Sequence, residues 1–475
     1  MAHEHSADLA TLLDCPELEA AVVRFVTELT YDDLDEPALA GLNRLLRDQI
    51  ALEIGTSRMP WSRQVLDYTL AVARPGRSRI AAHDGTVSAA DAAFVNGTYG
   101  HGFEYDDAHG PSAAHPGSCV IPAAFAIGEE LGSTLRDVLT ALVAGYEVYT
   151  RIGVLAAPDL LARGFHPHAV LSTFGAAAVA AKLRGFDART TLDALAIALS
   201  RASGTTEYSS TGGSIKRVHA GIGTQGGMVA ADLAAAGLTG PHGFLSGSKG
   251  FFRTFLQRGP GEDAAAAFDA GKPMEIATVW LKAYCACYCT HAYIDALRPF
   301  ADRVEDIAHV RLHLHPAFDV IVGNANANAF APRNIEHVQF SLPAQASFTL
   351  LGLGNGYRVH RDYLAGEVDL DPVRAFTEKI TIIPEQSLAD RYPGKFVADV
   401  EVEFGDGTVE RVFVEDPIGT DLNPMSEAEQ DAKFAELTVD VIGERQSAAL
   451  LAALRDPALD APVTDLTALY VPPRG

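Results

Sequence analysis

The sequence has little positive charge and no long apolar run, and each shortage argues against a class of protein. Lys and Arg number 37 against 61 Asp and Glu, which gives the 475 residues a formal net charge of −24. Nucleic acids and anionic membranes are bound through basic surfaces that meet their phosphates, so this balance argues against both kinds of partner. Apolar runs stay below the roughly 20 residues that cross a bilayer.

Cysteine is also scarce. Five cysteines, an odd number in a chain of this length, argue against a secreted disulfide framework. Residues 1–14 lack the basic-then-apolar layout of a signal peptide. We therefore expect a cytoplasmic protein. Its negative field would repel an anionic substrate, so a site for carboxylates would need a local cluster of Lys, Arg and His.

The pattern of apolar residues changes along the chain. From Pro16 to about Gly271 they recur at three- and four-residue steps, which predicts helices, and Thr190 and Thr191 resemble a helix cap. Between residues 310 and 414 short β-branched and alternating stretches predict strands. The last two of these strands flank Gly-Asp-Gly, which predicts a β-hairpin.

Helical periodicity returns after Ser426, a plausible cap followed by acidic residues. A chain of this length is too long for one ordinary compact domain. The helical C-terminal segment indicates that the chain returns to its first domain. We therefore expect a mainly α fold with a smaller α+β domain: an all-helical domain of residues 1–273 and 415–475, and an inserted α+β domain of residues 274–414.

Residues 101–118 combine titratable side chains with several Gly and Pro. The titratable residues are His101, Glu104, Asp106, Asp107, His109 and His115. Gly and Pro predict a loop, and carboxylates beside imidazoles can orient a base and bring its pKa toward neutrality. The pattern favours catalysis or substrate binding. A polar interhelical loop and a metal site are the alternatives, although no His-x-x-x-His spacing supports a metal.

A second candidate is His166-Pro167-His168, which leads directly into an Ala-rich helix. The start of a helix offers free backbone N–H groups and a positive dipole end, and both suit a carboxylate. The alternative is an ordinary Pro in the first helical turn with His168 on the surface.

Lys216, Arg217 and His219 form a third group, flanked by glycines. The spacing does not match a phosphate-binding P-loop. A basic cluster that pairs with substrate carboxylates explains the residues more simply, and it meets the need for local positive charge.

Three alternating cysteines precede His291. A zinc or iron–sulfur site would usually show Cys-x-x-Cys spacing, which is absent here. Cys285 and Cys289 fit small buried apolar residues. Cys287 remains open as a nucleophile or an acid/base group.

Together these stretches are similar to the MmgE/PrpD family, whose members include 2-methylcitrate dehydratase, cis-aconitate decarboxylase and iminodisuccinate epimerase. The resemblance is carried, in order, by HGFEYDDAHGPSAAHPGS, GFHPHAVLSTFG, IKRVHAGIGTQGG and LKAYCACYCTHAYIDA, and more weakly by DLNPMSEAEQDAKF. It covers nearly the whole chain. It implies a large helical domain built from both chain ends, an α+β lid domain, an active site between them, a homodimer, and neither metal nor organic cofactor.

The residues and the resemblance together predict a site. The predicted catalytic residues are His115, Asp106, Asp107, His166, Lys216 and Cys287. The predicted substrate-binding residues are Glu104, His109, Arg217, His219 and His291. We predict no metal ligands.

Three departures from the decarboxylase pattern bear on the reaction. Ala108 replaces a Thr, Cys287 replaces a His, and Leu350 replaces a Tyr. They disfavour decarboxylation of cis-aconitate. They leave a dehydratase or hydratase, or an epimerase, open.

The predicted function is that of a lyase that abstracts a proton next to a carboxylate of a small di- or tricarboxylic acid such as 2-methylcitrate. His115, positioned by Asp106 or Asp107, is the expected acid/base, and Lys216 and His166 are expected to hold carboxylates. In the epimerase alternative Cys287 returns the proton from the opposite face. A non-catalytic binding protein on the same scaffold is the remaining alternative.

Overall fold

A computed structural model describes residues 9–208, 212–392 and 394–472. Contacts between residues divide the chain into two compact units, residues 1–279 with 430–475, and residues 280–429. The domain bounds expected from the sequence stay a prediction.

Helices dominate the first unit, where the sequence showed three- and four-residue apolar steps. They are α1 (Glu17–Glu28), α2 (Glu36–Gly55), α3 (Pro60–Val72), α4 (Ala89–His101), α5 (Gly117–Leu131), α6 (Leu135–Ala156), α7 (Asp159–Ala162), α8 (Pro167–Leu183), α9 (Ala188–Leu199) and α10 (His219–Ala235). A short antiparallel ribbon joins β1 (Ser78–Arg79) to β2 (Thr86–Val87). A 3₁₀ turn, Ser214–Val218, leads into α10.

Small residues let the central helices of this unit approach closely. Helix α8 is buried from Pro167 to Ala181, as its apolar, Ala-rich sequence predicts. On α10, Gly223 and Gly227 face the backbone of α8, where a methyl group at Gly227 would lie 2.3 Å from the carbonyl oxygen of Thr173. The two helices therefore depend on glycine at their contact.

Helix α6 is long and apolar enough to span a membrane by length and composition alone. In the fold, 89% of its most apolar window is buried inside the protein, as in the core helix of a globular domain.

The second unit combines short helices with a four-stranded sheet. Its helices are α11 (His291–Leu297), α12 (Pro316–Val322), α13 (Ile335–Gln339), α14 (Leu342–Leu350), α15 (Tyr357–Ala365) and α16 (Asp371–Thr377). Its strands are β3 (Ile307–Leu314), β4 (Ile380–Pro384), β5 (Ala398–Phe404) and β6 (Val409–Val414).

The sheet order is β4-β3-β5-β6. Strand β3 pairs parallel with β4 and antiparallel with β5. Strands β5 and β6 form the predicted hairpin, with Glu403 opposite Val409. The alternating apolar residues of β3 and β5 fill the core of this unit against α11 and α14.

The chain then continues into α17 (Glu427–Ile442), α18 (Glu444–Arg455) and α19 (Val463–Thr467). Ser426 and Glu429 form a reciprocal capping box at the start of α17, as predicted. The expected cap at Thr190 and Thr191 is wrong. Asp187 caps α9 instead, because its carboxylate accepts the amide of Thr190 at 2.8 Å.

The mainly α fold with a smaller α+β unit is confirmed. Periodicity located the elements because most helices bury one face, and the hairpin followed from its Asp-Gly turn.

Replacing Gly227 by Ala should destabilise the protein, because the added methyl would overlap the α8 backbone. We expect a loss of about 1–3 kcal/mol in the free energy of unfolding, measured by urea denaturation. Gly226→Ala is the matched control on the same helix, since its methyl would meet only atoms 3.3 Å away or farther. Equal stability of the two variants would contradict the proposed close contact.

Candidate active site

The loop between α4 and α5 is buried. Helix α4 ends at His101 and α5 begins at Gly117, and the chain between them lies almost entirely out of solvent. Loops usually run over a protein's surface, because their backbone polar groups need partners. Here the loop's own carboxylates and imidazoles supply many of them.

His115 is held in one tautomer. Its Nδ1 donates to the carbonyl oxygen of Asp107 at 2.6 Å, so Nε2 is the basic nitrogen of the neutral ring. The backbone amide of His115 donates to the Tyr149 hydroxyl at 3.2 Å. Its side chain is 17% exposed, more than the fully buried Asp106. An oriented, partly accessible imidazole has the form of a general base.

Asp106 orients a different histidine from the one expected. Its Oδ2 accepts from Nδ1 of His101 at 2.7 Å and from the Ser118 hydroxyl at 3.2 Å. The same oxygen lies 4.0 Å from Nδ1 of His115, beyond hydrogen-bond distance. Asp106 and His101 therefore form a buried carboxylate–imidazole pair beside His115.

The carboxylate of Asp107 holds the start of α5. It accepts the amide of Gly117 at 3.0 Å and the Tyr146 hydroxyl at 2.9 Å. Burial raises its pKa well above the usual value, and the charge of Asp106 adds to the effect. Asp107 thus orients His115 through its backbone carbonyl, whereas its side chain fixes the helix.

A second pair of histidines continues the cluster. His166 lies at the N-cap of α8, and its Nδ1 is 2.9 Å from Nδ1 of His219, the first residue of α10. One ring donates and the other accepts. Burial lowers the pKa of both rings, that of His219 to about 4, and the positive charge of Lys216 lowers both further. Both rings are neutral at neutral pH.

His168, two residues into the same helix, joins the two pairs. Its ring centroid lies 4.3 Å from that of His101 and 5.7 Å from that of His166. Its Nδ1 is 2.7 Å from the Tyr149 hydroxyl, and its Nε2 is 3.3 Å from the Ser118 hydroxyl. Burial holds its pKa well below the usual value. The alternative that His168 lies on the surface is wrong, since its side chain is fully buried.

Lys216 supplies positive charge beside the histidines. Its ammonium pairs with the carboxylate of Glu104, and both residues are buried. Glu104 has φ +59°, in the left-handed region that side chains rarely adopt. Such a conformation costs of order 1–3 kcal/mol and persists where surrounding contacts enforce it, often at functional sites.

Two of the predicted substrate-binding residues make contacts typical of scaffold residues. The guanidinium of Arg217 donates to the carbonyl of Gly102 and lies 3.9 Å from the centroid of the Trp61 ring. Nδ1 of His109 is 2.9 Å from the Ser112 hydroxyl, and its Nε2 is 3.2 Å from the Glu275 carboxylate.

The remaining predicted residues belong to the second unit. The amide of Cys287 donates to the carbonyl of Gln339 at 2.9 Å, and the His291 ring stacks on Tyr288 at 4.7 Å. Leu350 is fully buried in that unit's hydrophobic core. Ala108, in the first unit, is buried within the loop.

Sequence reasoning left His101, Ser118 and Tyr149 out of the predicted site. They complete a hydrogen-bonded chain from Tyr149 through His168 and Ser118 to Asp106 and His101. The only sequence signal was the His-Pro-His motif and the position of His101 next to the acidic loop. Tyr149 lies on α6, far from any motif, so only the packing of α6 against α8 brings it to the site.

Among the residues described, no group of three or more His, Cys, Asp or Glu side chains is arranged to hold a metal ion.

The fold and this histidine–carboxylate loop agree with comparisons to known proteins. The MmgE/PrpD N-terminal domain matches residues 20–262, and the MmgE/PrpD C-terminal domain matches residues 284–456. The chain belongs to the MmgE/PrpD family.

The curated relatives that match are named as enzymes. A cis-aconitate decarboxylase of Aspergillus terreus is 29% identical over 61% of both chains. A cis-aconitate decarboxylase-like protein of Aspergillus oryzae is 27% identical over 95% of this chain and 96% of its own. The human cis-aconitate decarboxylase is 36% identical over 36% of each chain. The match to the Aspergillus terreus enzyme thus spans less than two thirds of that enzyme's length.

The buried histidines should make stability depend on pH. In the unfolded chain a histidine titrates near 6.5, whereas folded His219 titrates near 4. Between these values the unfolded state binds more protons, so the free energy of unfolding should fall as pH drops from about 6.5 toward 4, by up to about 1.4 kcal/mol per pH unit for each such histidine.

Urea denaturation between pH 7 and pH 5 measures this slope. His219→Asn should flatten it relative to the wild type. The same slope in both proteins would contradict the assignment of a neutral, buried His219.

Proposed function

We propose that the protein is a hydro-lyase that removes the elements of water from a small di- or tricarboxylic acid, such as 2-methylcitrate. The observation that carries this proposal is the fixed tautomer of His115, whose Nδ1 donates to Asp107 and whose Nε2 is left basic. A base in that state at neutral pH suits removal of a proton next to a carboxylate. This is the reaction step that dehydration, decarboxylation and epimerisation in this family would share.

The cationic side of the site would stabilise the charge that forms. When the proton leaves, negative charge develops on the neighbouring carboxylate as an enolate. Lys216, with its ammonium next to Glu104, is the nearest permanent cation to the histidine cluster. His166 and His219, neutral before binding, can donate hydrogen bonds to a substrate carboxylate. β-Hydroxide then leaves as water, protonated by a general acid, for which the His101–Asp106 pair is the candidate.

Decarboxylation is a second candidate, favoured by the names of the matching relatives. They are called cis-aconitate decarboxylases, and the full-length match to the Aspergillus oryzae protein covers both family domains. Ala108, Cys287 and Leu350, which depart from the decarboxylase pattern, weigh against it. A cytoplasmic homodimer that works without a cofactor completes the proposal.

Incubating candidate acids with the enzyme in deuterated water tests the proposal directly. The acids are methylcitrate, citrate, the aconitates and amino-dicarboxylates, followed by NMR. Loss of water with formation of an alkene supports the hydro-lyase. Release of CO₂ would instead establish decarboxylation, and deuterium uptake without loss of either would establish an isomerase. No change in any acid would contradict all three.

His115→Gln should abolish both turnover and deuterium uptake, because the amide cannot accept the proton. We expect at least a roughly 100-fold loss in kcat, within the range that general bases contribute. His83→Asn, which changes a histidine in the loop between β1 and β2, is the control and should keep its activity. Full activity of His115→Gln would assign the base elsewhere.

His166→Ala and Lys216→Ala should each abolish turnover while the fold stays intact. Lys216→Ala removes the cation expected to stabilise the enolate, and His166→Ala removes a donor to the substrate carboxylate. Steady-state kinetics and circular dichroism of both variants provide the measurement. Near-normal turnover in both variants would refute these roles.

A further inference from the structure

Two cationic side chains hold the backbone on either side of Glu104. The guanidinium of Arg217 donates to the carbonyl of Gly102, two residues before it. The ammonium of Lys433 donates to the carbonyl of Tyr105, the residue after it, at 2.9 Å. Between these two anchors the backbone adopts the left-handed conformation at Glu104.

Lys433 reaches the loop from a distant part of the sequence. It lies on α17, and its side chain is 3% exposed. Its ammonium is 2.6 Å from Oδ1 of Asp48 on α2 and 3.8 Å from the centroid of the Tyr105 ring. A buried ammonium needs a counter-charge and hydrogen bonds, and Asp48 and Tyr105 supply them.

We propose that Lys433 is a positioning residue of the active site, with Asp48 as its counter-ion. This proposal rests on the proposed function. The peptide group that carries the Tyr105 carbonyl is planar, and it also carries the amide of Asp106. Fixing that carbonyl therefore fixes the direction in which the chain enters Asp106, and so the hydrogen bond from Asp106 to His101. On the other side it helps to keep Glu104 turned toward Lys216.

A merely structural role and a positioning role predict different results. Replacing Lys433 by Met removes the donor to the Tyr105 carbonyl and leaves the Asp48 carboxylate buried without its cation. A loss of stability alone is expected from the second effect. A positioning role predicts in addition that the loop itself loosens and that kcat falls more than KM rises.

Lys182→Met is the matched control. Lys182 also donates to a backbone carbonyl within the first unit, that of Thr27 at 2.9 Å, away from the loop. Hydrogen–deuterium exchange measured by mass spectrometry should show faster exchange in residues 102–107 of Lys433→Met and unchanged exchange there in Lys182→Met. This readout needs no substrate, so it tests Lys433 even if the proposed reaction fails.

The double variant Asp48→Asn with Lys433→Met removes both buried charges. It should recover most of the lost thermal stability, because no unpaired charge remains, yet the Tyr105 carbonyl still lacks its donor. We expect kcat to stay about 10- to 100-fold below that of the wild type, the loss that small misplacements of catalytic groups cause. Wild-type kcat in the double variant, or unchanged exchange in residues 102–107, would overturn the proposal.

Discussion

The active site depends on one constraint: a polar loop buried between α4 and α5 is stable only if its donors and acceptors find partners inside the protein. Carboxylates, imidazoles and backbone carbonyls of residues 101–118 satisfy one another and the surrounding helices. The same hydrogen bonds select the tautomer of His115 and turn Asp106 toward His101. Structural satisfaction and chemical readiness therefore arise from the same contacts.

Burial also determines the charge state of the cluster. Five histidine rings share this site with Lys216, and burial lowers the pKa of His166, His168 and His219 so that their rings are neutral near pH 7. A neutral cluster avoids repulsion among its own members. It also keeps imidazole nitrogens able to accept protons, which a permanently charged cluster could not do. In an acidic chain, Lys216 then provides local positive charge without a large basic patch.

Much of the fold followed from the sequence, because helical periodicity and the Asp-Gly turn are local signals. Those signals gave the buried helix α8, the capping box at Ser426 and the hairpin of β5 and β6. The helix start at Asp187 was missed, since several polar residues there can cap a helix. Within the site, motifs supplied the loop and the His-Pro-His pair. They could not supply Tyr149, whose place depends on how α6 packs.

The contact between Lys433 and Tyr105 joins residues 328 positions apart, with the whole second unit between them. Contacts of such long range form late, after much loop-closure entropy has been overcome. During synthesis the ribosome releases the loop long before it makes α17, so the newly made helices wait for their final anchor. Maturation of the catalytic loop is thereby tied to completion of both units, and a chain halted within the second unit would carry the histidines without a finished site.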